Sequence, residues 1–227
     1  MCTRIYMNDR NNTLTARNMD WYQRFDTNLW AFRAGVTRNS IPEEPGKGFE
    51  WISKFKSIGS VITIDIDNDS DVEFISTNDG INEEGLAINM LYLAESDYEI
   101  ESPDISKEIS MSIWGQYMLD NYANVEEAIK GWGAEKAKII TMIIPSEGDG
   151  EGKVGNMHMS LSDKKGKSAI FEYYKEGETV KLHISTNINK EDLGLSDNEY
   201  LVLNYFEDCS IMTNSPNYSQ QVQLNYF

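Results

Sequence analysis

The sequence predicts an α+β protein in which helices pack in layers against β-sheet. Strand-like runs outnumber helical ones, and the two clearest helical segments are neighbours lying between an early and a late group of strands. This grouping favours layers over alternating βαβ units. The chain has 227 residues, of which 40% are hydrophobic, enough for one sizeable core. We therefore expect a single domain over residues 1–227.

The first element is a predicted β-hairpin. Residues 3–7 and 13–17 have the composition of strands, and polar turn formers fill residues 8–12 between them. The simplest register pairs Asn8 with Thr13 across a four-residue loop.

The hairpin register decides what lies opposite the second residue of the chain. In the simplest register Cys2 faces Met19, and a shift of one or two residues places it opposite Arg17 or Asn18. In each register Arg17 and Asp20 lie beside the N-terminus.

Further strands follow along the chain, and each is rich in β-branched or aromatic residues. They are predicted at residues 57–65, 72–77, 86–93, 139–144, 157–162, 168–174, 180–184 and 210–213.

Two helices are predicted between these strand groups. Apolar residues near helical spacing mark the first, namely Ile105, Ile109, Ile113, Tyr117 and Leu119, with Trp114 and Met118 widening the face. Asn124, with Glu127 three residues later, resembles a capping box that opens a second helix over residues 125–132.

Residues 218–227 resemble the start of an amphipathic helix without a cap or polar tail, so we expect a sequence truncated at its C-terminus.

Charge and cysteine content limit the function classes. Lys and Arg total 20 against 37 Asp and Glu, a net charge of −17, which argues against nucleic acid and anionic membrane surfaces as partners.

Two cysteines do not make a disulfide framework, and we expect Cys209 to be a small buried hydrophobe on a strand. No apolar run reaches membrane-spanning length and no signal segment precedes Cys2, which predicts a cytoplasmic protein. An already trimmed mature chain, periplasmic or secreted, would look the same.

Cys2 directly follows the initiator methionine. Removal of Met1 would leave a terminal residue with both a thiol and a free α-amine, whose ordinary pKa values are roughly 8.5 and 7.7–8.0. The amine is then a general base attached to the nucleophile that it must deprotonate. The alternative is that a cysteine stands at position 2 by chance.

Arg17 and Asp20 supply the charges that such a site needs. A guanidinium near the sulfur of Cys2 favours the thiolate, and a carboxylate near the α-ammonium orients it. The alternative is an ordinary surface ion pair, which contributes little to stability.

An ordered set of motifs resembles the choloylglycine hydrolase family, which comprises bile salt hydrolases and penicillin V acylases within the N-terminal-nucleophile hydrolases. The chain looks closest to the penicillin V acylase-like branch of Gram-negative bacteria. The matching segments span nearly the whole chain: residues 1–4, 17–21, 28–30, 79–86, 89–96, 114–117, 125–128, 158–163 and 213–216. The resemblance implies an αββα sandwich, in which two stacked antiparallel sheets are flanked by helices.

The resemblance also implies catalytic roles. Cys2 is the nucleophile, Arg17 the arginine beside its sulfur, and Asp20 the carboxylate that binds the N-terminal amine. Asn214 and the backbone N–H of Tyr92 are the oxyanion-hole donors, each of the kind whose loss typically costs roughly 10²–10³ in rate. The alternative for Asn214 is a turn-capping role before Ser-Pro.

Substrate contacts are expected around Tyr92, because penicillin V acylases often carry tyrosine where the Gram-positive bile salt enzymes carry asparagine. This favours acyl groups with an aromatic or apolar tail. Trp21, Phe25 and Trp30 are candidate walls of the acyl pocket, or else ordinary core aromatics. Asn82 belongs to a family motif, and we expect it to form a turn.

We expect no metal and no cofactor, since His158 and His183 lie alone on predicted strands as core or surface histidines. The resemblance implies a homo-oligomer, commonly a tetramer.

The family pattern continues past Asn-Ser-Pro into segments that supply another active-site arginine, for which this sequence has no candidate. We expect a hydrolase of linear, non-peptide amides acting on penicillin V, glycine- or taurine-conjugated bile acids, or N-acyl homoserine lactones. The alternative is a truncated, inactive homologue that acts as a binding module.

Overall fold

The computed structural model describes residues 2–9, 12–21, 25–44, 46–65, 72–100, 107–135, 137–144, 152–195 and 200–224. Its strands are β1 Thr3–Asp9, β2 Asn12–Asn18, β3 Asp26–Phe32, β4 Thr37–Asn39, β5 Glu50–Ile52, β6 Ser57–Asp65, β7 Val72–Asn82, β8 Ala87–Tyr92, β9 Lys107–Ser110, β10 Ala137–Ile140, β11 Ile143–Ile144, β12 Lys153–Val154, β13 Met157–Ser162, β14 Ser168–Glu176, β15 Thr179–Thr186, β16 Leu201–Tyr205 and β17 Ile211–Thr213. Its helices are α1 Met111–Asn121, α2 Val125–Glu135, α3 Lys190–Leu193 and α4 Tyr218–Leu224.

An eight-stranded sheet forms the centre of the fold. Its strand order is β16-β15-β14-β13-β8-β7-β6-β3, and its neighbours are antiparallel except for the parallel pair β15 and β16. A three-stranded antiparallel sheet in the order β17-β1-β2 contacts β7, β8 and β14 through side chains. The α+β prediction is confirmed.

The N-terminal hairpin has the simplest predicted register. Asn8 pairs with Thr13 and Thr3 pairs with Asn18, so Cys2 precedes the first paired residue and Met19 follows the last one. Turn composition was therefore enough to set this local pairing correctly.

Helix α1 begins later than its apolar spacing predicted. Ile109 lies in strand β9, which pairs in parallel with β10, and Ser110 is the N-cap whose Oγ accepts from the N–H of Ser112. Ile105 lies outside the described residues. The strand prevails here because β10 supplies a partner that helical spacing alone cannot show.

The capping box of α2 is confirmed. The side-chain oxygen of Asn124 accepts from the N–H of Glu127 at 3.0 Å, and the Glu127 carboxylate accepts from the N–H of Ala123 at 3.0 Å. The first bond satisfies a donor that the helix N-terminus leaves open, whereas the second binds the N–H of the residue before the N-cap, one position away from the standard capping box.

The main core lies between the two long helices and the large sheet. It includes Trp114, Trp132 and Tyr173, with the indole N–H of Trp132 donating to the Tyr173 hydroxyl at 2.8 Å. Gly115 allows α1 to approach the sheet closely, because a Cβ there would lie 2.8 Å from the carbonyl oxygen of Thr77. An alanine at this position would push the helix away from β7.

A second core lies between the two sheets and is partly polar. Cys209 is buried there, as predicted, although it lies just before β17 and not within a strand. Burial raises the pKa of its thiol to about 12. The fully buried guanidinium of Arg4 donates to the Cys209 carbonyl at 2.8 Å and to the Ser168 hydroxyl at 3.0 Å. Arg4 therefore ties β1 to β14 and to the segment before β17.

Other strand predictions are confirmed with changed limits. The strand predicted at 57–65 agrees with β6, whereas residues 139–144 divide into β10 and β11. Strands β3 and β16 were missed, because neither has enough apolar alternation to stand out. Helix α4 covers Tyr218–Leu224 of the helix predicted at 218–227, and the last three residues of that range lie outside the described residues.

Strand β7 contains a bulge that shapes the site described below. On its partner β6, Ser60 pairs with Asp79 and the next residue, Val61, pairs with Thr77. Asn78 is therefore an extra residue in β7 without a partner in the ladder. A bulge of this kind changes where the neighbouring side chains point.

Candidate active site

Cys2 lies just before β1, the central strand of the small sheet, between the end of β17 and the end of β2. Because Thr3 pairs with Thr213 across β1 and β17, the following residue, Asn214, is brought beside Cys2. The backbone N–H of Cys2 donates to the side-chain oxygen of Asn214 at 3.2 Å, and Cys2 is only 3% exposed. Two residues more than 200 positions apart in sequence are thus held in direct contact.

The sulfur of Cys2 lies against the turn that follows β2. Its closest polar contact is the backbone carbonyl oxygen of Asp20, at 3.8 Å. Asn18 supports the same turn by accepting the N–H of Thr3 at 2.6 Å. Asp20 itself is exposed, and the expected bond from its carboxylate to an N-terminal amine stays a prediction.

Arg17 lines the same pocket as Cys2 and is held from two sides. Its guanidinium donates to the Asp79 carboxylate at 2.8 Å and to the Met90 carbonyl at 2.8 Å. The second carboxylate oxygen of Asp79 accepts from the Asn89 amide at 2.8 Å. Burial raises the pKa of the Asp79 carboxyl, while Arg17 and Asn89 act against that rise.

Asp79 is a site residue that the sequence analysis did not single out. It appeared only as the first residue of a family motif, and its role depends on contacts across two sheets. The sequence signal that could have found it is a carboxylate within the predicted β-rich region, because an unpaired charge buried in a sheet would be costly and therefore indicates a partner.

Asn214 presents its amide with a defined orientation. Since its oxygen accepts from Cys2, its NH₂ group faces elsewhere, and that group has no hydrogen-bond partner among the described residues. The adjacent Ser215 hydroxyl accepts the N–H of Ala94 at 3.1 Å, which links this loop to the chain just after Tyr92. The two expected oxyanion donors therefore lie on linked segments.

Helix α4 anchors the Asn214 loop to the large sheet. The N–H of Tyr218 donates to both carboxylate oxygens of Glu172, each at 3.0 Å. One of these oxygens also contacts Nδ1 of His158 at 2.9 Å, and both side chains are buried. Gln221 donates to the Thr213 carbonyl at 3.1 Å and accepts the Thr213 N–H at 3.0 Å.

The two histidines lie in different surroundings. His158 belongs to the buried carboxylate contact, and His183 stacks on Tyr174 with 3.7 Å between ring centres and 11° between planes. Burial lowers the pKa of His183 to about 4. Within the described part of the chain, no group of three His, Cys, Asp or Glu side chains could hold a metal ion.

A cleft that encloses about 50 Å³ and opens to solvent extends from Cys2. The Trp21 and Tyr92 rings meet edge to face with centres 5.1 Å apart, and Phe25 lines the same space. Trp30 does not line this cleft; it lies on β3 against Phe32, with ring centres 6.2 Å apart. Of the described residues that line the cleft, Arg17 alone carries a charge.

The remaining lining residues are mostly methionine and small polar groups. They are Met19, Ile62, Ser76, Asn78, Met90, Met111, Met142, Ile144, Gly155 and Met157.

Asn82 forms the turn between β7 and β8. Its oxygen accepts the N–H groups of Glu84 and Leu86 at 3.1 and 3.0 Å. Its NH₂ donates to the carbonyls of Leu119, in the last turn of α1, and of Tyr122, the C-cap of that helix, at 2.9 and 2.8 Å. All four hydrogen-bonding positions of the amide are therefore filled by backbone groups.

Comparison with known proteins places this geometry in a family. The profile of the linear amide C–N hydrolases, choloylglycine hydrolase family, matches residues 2–188. The chain belongs to this family. Residues 2–188 include Cys2, Arg17, Asp20, Asn82 and Tyr92.

Relatives of this choloylglycine hydrolase family member include penicillin V acylases. The chain is 37% identical over 233 residues to the penicillin V acylase of Pectobacterium atrosepticum, covering 100% of this chain and 52% of the relative. The chain also aligns with the structure of penicillin V acylase from Agrobacterium tumefaciens, with 31% sequence identity and a TM-score of 0.68. This alignment covers 100% of this chain and 56% of that chain. The chain thus spans about half the length of these relatives.

The fold is shared more widely. The conjugated bile acid hydrolase of Clostridium perfringens aligns with a TM-score of 0.66 at 21% identity, over 100% of this chain and 57% of that chain. The expected fold class is thereby confirmed. Among the described residues, no helix is long and apolar enough to span a membrane.

Proposed function

We propose that this chain hydrolyses the C–N bond of linear, non-peptide amides, with the sulfur of Cys2 as the nucleophile after removal of Met1. The observation that carries the proposal is the placement of Cys2 at an apolar cleft with Asn214 bonded to its nitrogen. Membership of a family of linear amide C–N hydrolases supports the reaction type.

The first half of the reaction transfers the acyl group to sulfur. The α-amine of Cys2 takes the thiol proton, and the sulfur attacks the amide carbonyl carbon. The amine then donates this proton to the leaving nitrogen, the C–N bond breaks, and a free amine departs. The acyl group remains on Cys2 as a thioester.

Negative charge develops on the carbonyl oxygen during the attack. The NH₂ of Asn214, which has no hydrogen-bond partner among the described residues, and the backbone N–H of Tyr92 are the proposed donors to this oxygen. The bond from Cys2 to the Asn214 oxygen directs that NH₂ group away from the nitrogen of Cys2. Arg17, held by Asp79, would place positive charge at the cleft, and Asp20 would orient the amine.

The second half returns the enzyme to its starting state. The α-amine takes a proton from water, the resulting hydroxide attacks the thioester carbon, and the C–S bond breaks to release a carboxylic acid. The thiol of Cys2 regains the proton.

The lining of the cleft supports acyl groups with an aromatic or apolar tail. Trp21, Phe25 and Tyr92 supply aromatic walls. Candidate substrates are penicillin V, glycine- or taurine-conjugated bile acids and N-acyl homoserine lactones. By analogy with the family we expect a homo-oligomer, and no cofactor enters the proposed steps.

The test begins with intact-mass confirmation that Met1 is absent. The protein is then incubated with penicillin V, glycocholate or an N-acyl homoserine lactone, and the released amine is measured. We expect turnover of at least one substrate and its loss in Cys2→Ala. Cys209→Ala is the matched control, since it removes the other thiol away from the cleft.

Two outcomes would count against the proposal. Activity retained in Cys2→Ala would rule out the nucleophile. A chain lacking Met1 that binds these amides without turnover would instead support a binding module.

A further inference from the structure

The bulge in β7 places an unusual polar group in the apolar cleft. Asn78 is 5% exposed and lines the cleft, and its side chain makes no hydrogen bond to any described residue. In the free cleft solvent can reach this amide, and a bound apolar group would displace that solvent and leave the amide without hydrogen bonds, which is costly. Such a group calls for an explanation at a site that binds ligands.

The direction of the neighbouring side chains shows what the bulge achieves. Thr77 faces α1, where its hydroxyl donates to Gln116 at 3.3 Å. Asp79 faces the small sheet and binds Arg17. In a regular strand Asp79 would share the face of Thr77, whereas the extra residue lets Asn78 and Asp79 both serve the site.

Ser76 adds a second polar group on the same wall. It is 7% exposed, lines the cleft, and its hydroxyl makes no hydrogen bond to a described residue. The amide of Asn78 and the hydroxyl of Ser76 together offer both donors and acceptors to a bound molecule.

The methionine side chains that line the rest of the cleft select poorly between apolar acyl groups of different shape. Methionine side chains are flexible and polarisable, and adapt to many partners. Five of them line the cleft: Met19, Met90, Met111, Met142 and Met157. A fixed polar group on such a wall is therefore the feature best able to select one apolar acyl group over another.

We propose that Asn78, assisted by Ser76, is a specificity residue that selects acyl groups carrying an oxygen within an otherwise apolar body. This inference rests on the proposed function, since it names the acyl class that the cleft would accept. An ether, hydroxyl or keto oxygen of the bound acyl group would replace the hydrogen bonds to solvent that Asn78 loses on binding. The all-carbon analogue leaves the buried amide unpaired, and sites built in this way reject such analogues.

The experiment compares two pairs of glycine amides that differ only at this oxygen. One pair is phenoxyacetyl against phenylpropanoyl, in which a CH₂ replaces the ether oxygen. The other is hydroxydecanoyl against decanoyl. We expect wild-type protein to favour the oxygen-bearing member in kcat/KM by about 3- to 10-fold in at least one pair.

Two variants test whether the preference for the oxygen-bearing acyl group comes from Asn78. Asn78→Leu keeps a similar volume without polar atoms, and we expect the ratio within the pair to fall to about one. Thr77→Val is the matched control, being the adjacent residue on the helix side of the strand. It should keep the wild-type ratio.

Binding measurements separate this inference from the catalytic proposal. Dissociation constants for the same pairs, measured with Cys2→Ser protein, need no turnover. A preference that Asn78→Leu abolishes supports the inference even if no amide is hydrolysed. Equal kcat/KM values and equal dissociation constants within both pairs in the wild-type and Cys2→Ser proteins would overturn it, as would a preference unchanged in Asn78→Leu.

Discussion

The guanidinium of Arg17 and the carboxylate of Asp79 form an ion pair of 2.8 Å that joins the two sheets beside Cys2. The Arg17 side chain is 7% exposed and that of Asp79 is 23% exposed. Neither charge has free access to water, so each depends on the other for compensation. This contact links the hairpin strand β2 to the bulged strand β7.

Asp79→Asn is expected to weaken both stability and activity. The guanidinium would stay buried without its counter-charge, at a cost of about 2–3 kcal/mol in the free energy of unfolding. Amidase activity should fall at least about tenfold, because Arg17 loses its fixed position. Denaturant titration and initial rates measure the two effects. Glu83→Gln is the control, since its ion pair with Lys56 is exposed and 3.9 Å long; an equal loss there would contradict this account.

Asn82→Ala should destabilise the chain without changing the chemistry of the folded fraction. It removes four hydrogen bonds to backbone groups around the β7–β8 turn and the end of α1. We expect a loss of roughly 3 kcal/mol in the free energy of unfolding. Asn82→Asp keeps the two acceptor bonds but sets a buried carboxylate oxygen against the Leu119 and Tyr122 carbonyls, so it should also be destabilised. A lower kcat with unchanged stability would show a direct catalytic role instead.

Glu172→Gln should act on catalysis through the position of Asn214. The amide keeps one oxygen as an acceptor for the Tyr218 N–H, but its NH₂ replaces the second accepting oxygen, at a cost of about 1–3 kcal/mol. We expect kcat to fall with little change in KM, because Asn214, the proposed oxyanion donor, shifts while the cleft stays intact. Glu191→Gln on the exposed surface of α3 is the control. A rise in KM alone would contradict the positioning role.

The two cysteines should differ in reactivity towards iodoacetamide at mildly alkaline pH. The pKa of Cys209 is raised to about 12 by burial, so its thiol stays protonated and unreactive in the folded protein. Cys2 lines the cleft and is reached from it. Mass spectrometry should find one modified thiol, at Cys2, and two after denaturation. Modification of native Cys209 at a comparable rate would refute this prediction.

His183 should make the protein less stable as the pH falls. Its pKa is lowered from 6.5 to about 4 in the folded state. Between these values the unfolded chain binds a proton that the folded chain does not, so the stability present above pH 6.5 declines towards pH 4. The His183→Phe variant keeps a ring against Tyr174 and lacks this titration. The difference in unfolding free energy between the two proteins should change by on the order of 1 kcal/mol in this window and stay flat above it.

Local patterns in the sequence predicted the local structure well. The Asn8–Thr13 register and the Asn124 capping box both depend on residues within a few positions of each other. Ile109 was misassigned because helical spacing does not reveal the partner strand β10. Pairing across long stretches of chain depends on tertiary packing, which periodicity does not encode.

In the candidate site, too, contacts between residues distant in sequence could not be predicted from local patterns. The motif around Arg17 indicated that charged residues lie near Cys2, but the partner of Arg17 is Asp79, 62 residues away. The polar wall at Asn78 was missed because the bulge arises from how β7 pairs with β6. Glu172 was missed because its role depends on the return of α4 to the large sheet.

The extra residue at Asn78 also changes the phase of β7. The alternation is offset by one residue between Thr77 and Asp79, and a second register shift lies between the pair of Ser76 with Ile62 and the pair of Phe74 with Thr63. The stretch that carries Thr77 stays in phase with α1, while the stretch that begins at Asp79 is in phase with the small sheet. Deleting this one residue would remove the offset between Thr77 and Asp79 and turn Asp79 towards the helix. The charge network at Cys2 is therefore sensitive to the length of β7 as well as to its composition.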